Sequence, residues 1–199
     1  MNRRFVVAAL LSIATPAFAE TYDLDPSHSA ATFTVQHLMF TKVHGEFGGV
    51  TGSFTYDPKE PTKATVEASV DATTVNTREP KRDTHLRSPD FFDVAKYARL
   101  TFKSTKVEKG AKGHLKLHGD LTIHGVTKNV VFDVTGPSPE IKDPWGATKI
   151  AASATATINR KDFGLNWNKA LEAGGFLVGD EVTIELNLEG SKKAPTAAK

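Results

Sequence analysis

The 199-residue chain contains no cysteine. That absence excludes disulfides, thiolate metal sites, a cysteine nucleophile and a cysteine-linked lipid anchor. A chain of this length does not need disulfides, because a single domain of such size buries enough surface to hold itself together. Long hydrophobic runs are also missing. The longest, residues 5–14, is interrupted by a serine and falls well short of the roughly 20 apolar residues that a spanning helix requires. Neither sign of charge dominates, with 25 basic residues against 23 acidic ones. No clustered basic face speaks for a nucleic-acid partner.

What is present begins at the amino terminus. Arg3 and Arg4, the short apolar run, Thr15-Pro16 and the small-residue site Ala17-Phe18-Ala19 together read as a secretory signal peptide, cleaved between Ala19 and Glu20. Cleavage leaves 180 of the 199 residues and, with Arg3 and Arg4 gone, a charge balance of 23 against 23. The expected organisation is a signal over residues 1–19, one domain over 20–190, and a polar Ala/Pro-rich disordered tail over 191–199. The mature protein is expected free in the periplasm, as a monomer or homodimer without an integral membrane span.

The body of the chain alternates with period two, the mark of strands buried on one face. Ala31, Phe33, Val35 and His37 alternate with Thr32, Thr34 and Gln36. Ala64, Val66, Ala68 and Val70 form a second row, Leu100 and Phe102 a third, and Leu115, Leu117, Gly119, Leu121 and Ile123 a fourth. Val130, Phe132 and Val134 follow, then Ile150, Ala152, Ala154, Ala156 and Ile158, and last Val182, Ile184, Leu186 and Leu188. An eighth segment, residues 43–56, changes parity at Gly48-Gly49, as a bulge or glycine bend would make it do. Eight strands with one apolar face predict an all-β fold, an eight-stranded antiparallel lipocalin-like barrel able to enclose one ligand.

Several inward positions are small where a filled core would want Leu or Phe: Ala64, Ala68, Gly119, Ala152, Ala154 and Ala156. They either leave room for a ligand or interdigitate with Phe33, Phe54, Phe102 and Phe132. Two segments break the rhythm. Residues 77–93 read as a short helical insertion, with Thr77 as cap, Pro80 in the first turn and Ser88-Pro89 as terminator. Residues 159–179 are too long for a hairpin turn and suit a lid or binding loop.

Certain runs then match a known pattern. Asp25-Pro26-Ser27-His28-Ser29 with Phe33-Thr34-Val35-Gln36-His37, and Val43-His44-Gly45-Glu46-Phe47, form its opening. Arg82-Asp83-Thr84-His85-Leu86-Arg87-Ser88-Pro89-Asp90-Phe91-Phe92-Asp93 is the most specific segment. Residues 119–127, Asn159-Arg160-Lys161-Asp162-Phe163-Gly164-Leu165 and Gly179-Asp180-Glu181-Val182 complete it. On these residues the chain resembles the YceI family of periplasmic lipid- or polyisoprenoid-binding proteins. One departure is Ala98 after Tyr97, where the family often has proline. The resemblance implies an elongated lipocalin-like barrel holding a long isoprenoid or related amphiphile, with no cofactor.

The resemblance carries no contact residues, so ligand candidates come from strand parity: Phe33, Val35, His37, Phe54, Ala68, Val70, Phe102, Leu117, Phe132, Ala154 and Ile158. The long loop adds Phe163, Trp167 and Phe176. Arg78 and Arg82, four apart on one helix face, are candidate contacts to an anionic headgroup together with His85 and Arg87. The rival reading is a solvated helix surface with Glu79 and Asp83 as their partners. Two other function classes stay open. One is a metal site built from His28, His37 and His85. The other is a hydrolase using Asp25, Ser27 and His28, although no Gly-x-Ser-x-Gly elbow is present.

Overall fold

The computed structural model describes residues 19–172 and 174–194. Residues 1–18 of the expected signal and 195–199 of the expected tail therefore lie outside it, and among the described residues no helix is long and apolar enough to cross a membrane. The strands are β1 (Glu20–Leu24), β2 (Ala30–His37), β3 (Thr41–Phe47), β4 (Thr51–Tyr56), β5 (Thr65–Asp71), β6 (Arg99–Lys109), β7 (Leu115–Ile123), β8 (Val126–Thr135), β9 (Ile141–Lys142), β10 (Thr148–Asn159) and β11 (Val178–Lys192). One helix, α1 (Pro80–Arg87), interrupts them.

Eight of these strands close a ring of antiparallel pairs, β11–β1–β4–β5–β6–β7–β8–β10 and back to β11. Strand number and closure agree with the alternating rows, but membership differs. Residues 43–56 form two strands rather than one, parted at residues 48–50, where Gly49 takes a φ of +65°. Glu20–Leu24 is a strand that the rows omitted, with Tyr22 and Leu24 facing in. The β2–β3 hairpin extends the wall, with β2 pairing along β11 from Val178 to Asn187. The last strand also runs to Lys192, two residues into the expected tail, and the Lys193 amide donates to Thr21.

Three apolar clusters line the interior. One gathers Leu24, Phe47, Val50 and Val75, the second Val107, Leu115, Phe132 and Val134, and the third Leu121, Ile123, Ile158, Phe163 and Leu165. The helix is shorter than expected and its cap is different. Glu79 accepts the Lys81 amide, while Thr77 lies buried before the helix, giving its amide and hydroxyl to Asp83 Oδ1 at 2.8 and 2.6 Å. Pro80 and Ser88 do bound the helix, since proline loses no partner in a first turn.

Where β1 gives way to β2 along β11, a polar seam holds the wall together. The Asp25 amide donates to the Glu189 carbonyl, and the Ser29 hydroxyl accepts from the Glu189 amide. On the outer face, Lys149 Nζ stands 2.9 Å from Asp25 Oδ2 and 3.0 Å from Glu189 Oε1. Hydrogen bonds from Lys149, then His28 and the Ser27 amide, hold the Asp25 carboxyl well below the usual carboxylate range. A depressed carboxyl stabilises the fold above its unfolded value, about pH 4, and that stability drains away as pH falls below it. Lys149→Met should lower stability near neutrality by about 1–2 kcal/mol. It should also flatten the stability–pH slope between about pH 5 and 2, read by urea melts at stepped pH. An unaltered acid slope would show that the seam does not respond to that proton.

Candidate functional site

The barrel encloses a cavity of about 550 Å³. Strand alternation explains its wall, because every second side chain of each stave projects inward. Phe33, Val35 and His37 of β2, Phe54 of β4, Ala68 and Val70 of β5, Phe102 of β6, Leu117 of β7, Phe132 of β8, and Ala154 and Ile158 of β10 all border it. Trp167 joins them from the β10–β11 loop.

The small inward residues serve both purposes weighed from the sequence. Ala64, Ala68, Ala152 and Ala154 border open space, whereas Gly119 and Ala156 do not. Gly119 is a seat for an aromatic ring: a Cβ there would fall 2.3 Å from Phe102, and the same holds for Gly45 under Phe33 at 2.2 Å and Gly190 under Phe54 at 2.6 Å. Three phenylalanines thus lie close against the wall over glycines, and the lumen stays open beside them. Phe102 and Phe132 meet edge to face at 5.3 Å, the geometry that ring quadrupoles favour.

The two ends differ. At one end Tyr22 stacks on Phe54 at 5.0 Å and its hydroxyl donates to Glu140 Oε1 at 2.5 Å. Burial, with Glu140, pushes the Tyr22 phenol above its usual range, so it stays a neutral donor. Near the other end, α1, Phe91, Phe92 and the 160–177 loop frame a mouth. His85 sits edge-on to Phe91 at 5.0 Å and to Trp167 at 4.8 Å, and its Nε2 pairs with Asp90 at 2.8 Å. The side chains His37, Lys81, Arg82, His85 and Arg160 bring cationic or imidazole groups into the lining, and all belong to elements at the mouth end.

Four of the residues singled out from sequence lie elsewhere. Phe163, 1% exposed, is packed among Leu121, Ile123 and Leu165, because its short 3₁₀ turn (Arg160–Phe163) directs it into the barrel end rather than the lumen. Phe176 points outward, under the Lys161 ammonium. Arg78 precedes the helix with φ +64° and is exposed, so it shares no helix face with Arg82. Arg87 spends its guanidinium on the Thr73 and Val75 carbonyls. Arg82 does face the lumen, with Nε and Nη2 engaged by Thr77.

One residue at the mouth lay in a matching run but not among the candidate contacts. Arg160 is 3% exposed, and its guanidinium donates to the carbonyls of Gly179 (2.8 Å), Trp167 (2.9 Å) and Leu165, with Asp180 Oδ1 at 3.4 Å. It ties the loop back onto the root of β11. Nothing in the run Arg160-Lys161 tells a buried cation from the exposed one beside it, except its place at the end of an inward-outward row.

The histidines do not gather. His28 sits in the seam with Asp25 and Glu189, whereas His37 and His85 line the cavity. Asp25, His28 and Glu189 are, among the described residues, the one set of three side chains close enough to share an ion, and the Lys149 ammonium already stands between the two carboxylates. The Asp25-Ser27-His28 turn is likewise not assembled as a nucleophile: Ser27 meets Asp25 through its backbone amide, and Asp25 is engaged by Lys149.

A family model described as a YceI-like domain matches residues 22–190. A UPF0312 protein of Vibrio cholerae is 35% identical over 189 residues, 94% of this chain and 95% of the relative. Among solved structures, Burkholderia cenocepacia BcnA superposes with a TM-score of 0.71 at 20% identity, over 84% of this chain and 99% of that one. A polyisoprenoid binding domain from Saccharophagus degradans, implicated in plant cell wall breakdown, gives 0.63 at 17% identity, over 86% and 98%. At those identities the two structures show the shared fold.

Proposed function

This chain belongs to the YceI-like family, and from that membership and its apolar lumen we propose that it is a non-catalytic carrier of a long-chain amphiphile, a polyisoprenoid, isoprenoid quinone or related lipid, acting in the periplasm. The observation that carries the proposal is a 550 Å³ space whose wall is built mainly from inward Val, Leu, Ile, Phe and Ala, with its cationic and imidazole side chains on elements at the mouth. Pockets of this size and character bury most of a small ligand, and an empty apolar cavity is destabilising, so the wall favours an apolar occupant. A chain in the lumen with a polar head near His37, Arg82 and His85 satisfies both regions. The signal-like residues 1–19 support the compartment.

Solvent extraction of natively purified protein followed by mass spectrometry tests the reading. About one intact lipid per chain is the expected result, with no turnover of ester, phosphate or glycoside substrates. Reproducible turnover abolished by His28→Ala would replace the carrier with an enzyme.

A further inference from the structure

The rim of the mouth carries large apolar side chains that the described residues leave exposed. Among the described residues six large hydrophobic side chains are exposed, and three of them, Met39 (57%), Phe40 (76%) and Phe176 (54%), belong to the rim. Leu38, Met39 and Phe40 form the tip of the β2–β3 hairpin, and the Leu38 amide donates to Leu177 at 2.8 Å, joining the tip to the loop that holds Phe176. The remaining three are Val131 in mid-strand and Ile141 and Trp145 at the opposite end.

The tip is also held against its backbone preference. Leu38 and Met39 have φ of +51° and +67°, and the Phe40 amide bonds back to His37, which is the pattern of a type I′ turn. Those two positions ordinarily take Asn, Asp or Gly. Strained backbone bearing exposed bulky residues is an observed outlier of the kind that marks functional sites. Exposed lysines lie on the elements of the mouth: Lys42 follows the tip, Lys169 lies in the loop, Lys81 borders the cavity, and Lys161 Nζ, paired with Asp180 Oδ2, stands 5.7 Å over the Phe176 ring. Asp162 and Glu172 are the exposed acidic groups of the same loop.

We propose that this rim docks on a phospholipid bilayer, with Met39, Phe40 and Phe176 entering the headgroup–acyl boundary and the lysines meeting lipid phosphates. Apolar side chains flanked by snorkelling lysines are the chemistry of an interfacial anchor. Docking there would turn the mouth towards the membrane from which an amphiphile must enter, so the inference rests on the carrier reading.

The test is co-sedimentation of the full chain with phosphatidylethanolamine–phosphatidylglycerol vesicles. Phe40→Ser combined with Phe176→Ser should lower vesicle binding by about tenfold. Trp145→Ser, which removes a more exposed ring at the far end, should leave it unchanged. Met39→Gly, which relieves the turn, should fold at least as well and bind less. Equal binding by the double variant and the parent, or loss on Trp145→Ser instead, overturns the proposal. A change of oligomeric state in the double variant also overturns it, in favour of a second copy of the chain. Extracted lipid is measured on the same preparations. Bound lipid without vesicle binding removes the docking face alone, whereas vesicle binding by a lipid-free parent removes the carrier reading alone.

Discussion

Ala154→Phe should empty the barrel without unfolding it. Ala154 lies inward on β10 between Val134 of β8 and Leu186 of β11, and it borders the cavity. In a filled core the added ring would overpack at about 1–3 kcal/mol. Here a ring can project into the space that a bound chain would occupy. Extractable lipid per folded molecule should therefore fall about fivefold or more, while the ligand-free Tm drops by no more than about 5 °C. Ala68→Phe, which enters the lumen from β5 opposite Phe102, should act alike. Thr155→Phe places the same ring on the outer face and should leave loading intact. If the inward variants unfold while lipid per folded molecule stays constant, the alanines serve packing and the lumen is not the binding site at those positions.

Arg160→Leu should produce the largest loss of stability of any single change at the mouth. The substitution keeps an apolar stem but strips three carbonyls, one buried and two partly buried, of a charged donor. Burial lowers the Arg160 pKa, with Asp180 opposing, yet a guanidinium remains charged at any physiological pH. Hydrogen bonds to charged groups contribute about 1.5–3 kcal/mol each, and water recovers part of that, so a loss of about 3 kcal/mol or more is expected. That corresponds to roughly 6–12 °C in Tm for a domain of this size. The chain has two tryptophans. In a Trp145→Phe background, Trp167 reports alone, and its emission should shift to the red as it leaves His85 and Phe91. Lys161→Leu, next door and exposed, should change stability by less than about 1 kcal/mol. Equal effects from the two substitutions would show that Arg160 is not the clamp.

The barrel was legible in the sequence because its wall has one wet and one dry face, and period two records that directly. The inward row from Ala31 to His37 does line the cavity, and of the row from Ile150 to Ile158 so do Ala152, Ala154 and Ile158, whereas Ile150 and Ala156 do not. Legibility stopped where the backbone leaves the pleat. Phe163 and Phe176 sit in a loop without a period, so their aromatic character indicated burial but not direction, and one is fully buried while the other is outside. Arg78 and Arg82 share a face only if both are helical, and the left-handed Arg78 is not. The strand Glu20–Leu24 was hidden by its brevity and by the signal-like residues before it. Gly119 left ligand room and interdigitation both open, because a sequence shows that a position is small but not which ring lies over it.

The pairing of β11 bears on how the barrel comes into being. This strand bonds to β10 along one edge and to β2 and then β1 along the other, so the first and last strands of the domain are neighbours. It is also, among the described residues, the last strand in chain order. Until it docks, the remaining strands form an open sheet whose greasy face is bare, and no amount of local order can close the ring. Such end-to-end pairing places folding in the slow millisecond-to-second class of non-local β topologies. A lipid present while the last strand docks is wrapped by closure and need not be threaded through the finished mouth. Refolding the chain beside a chosen lipid is therefore a direct route to a defined complex.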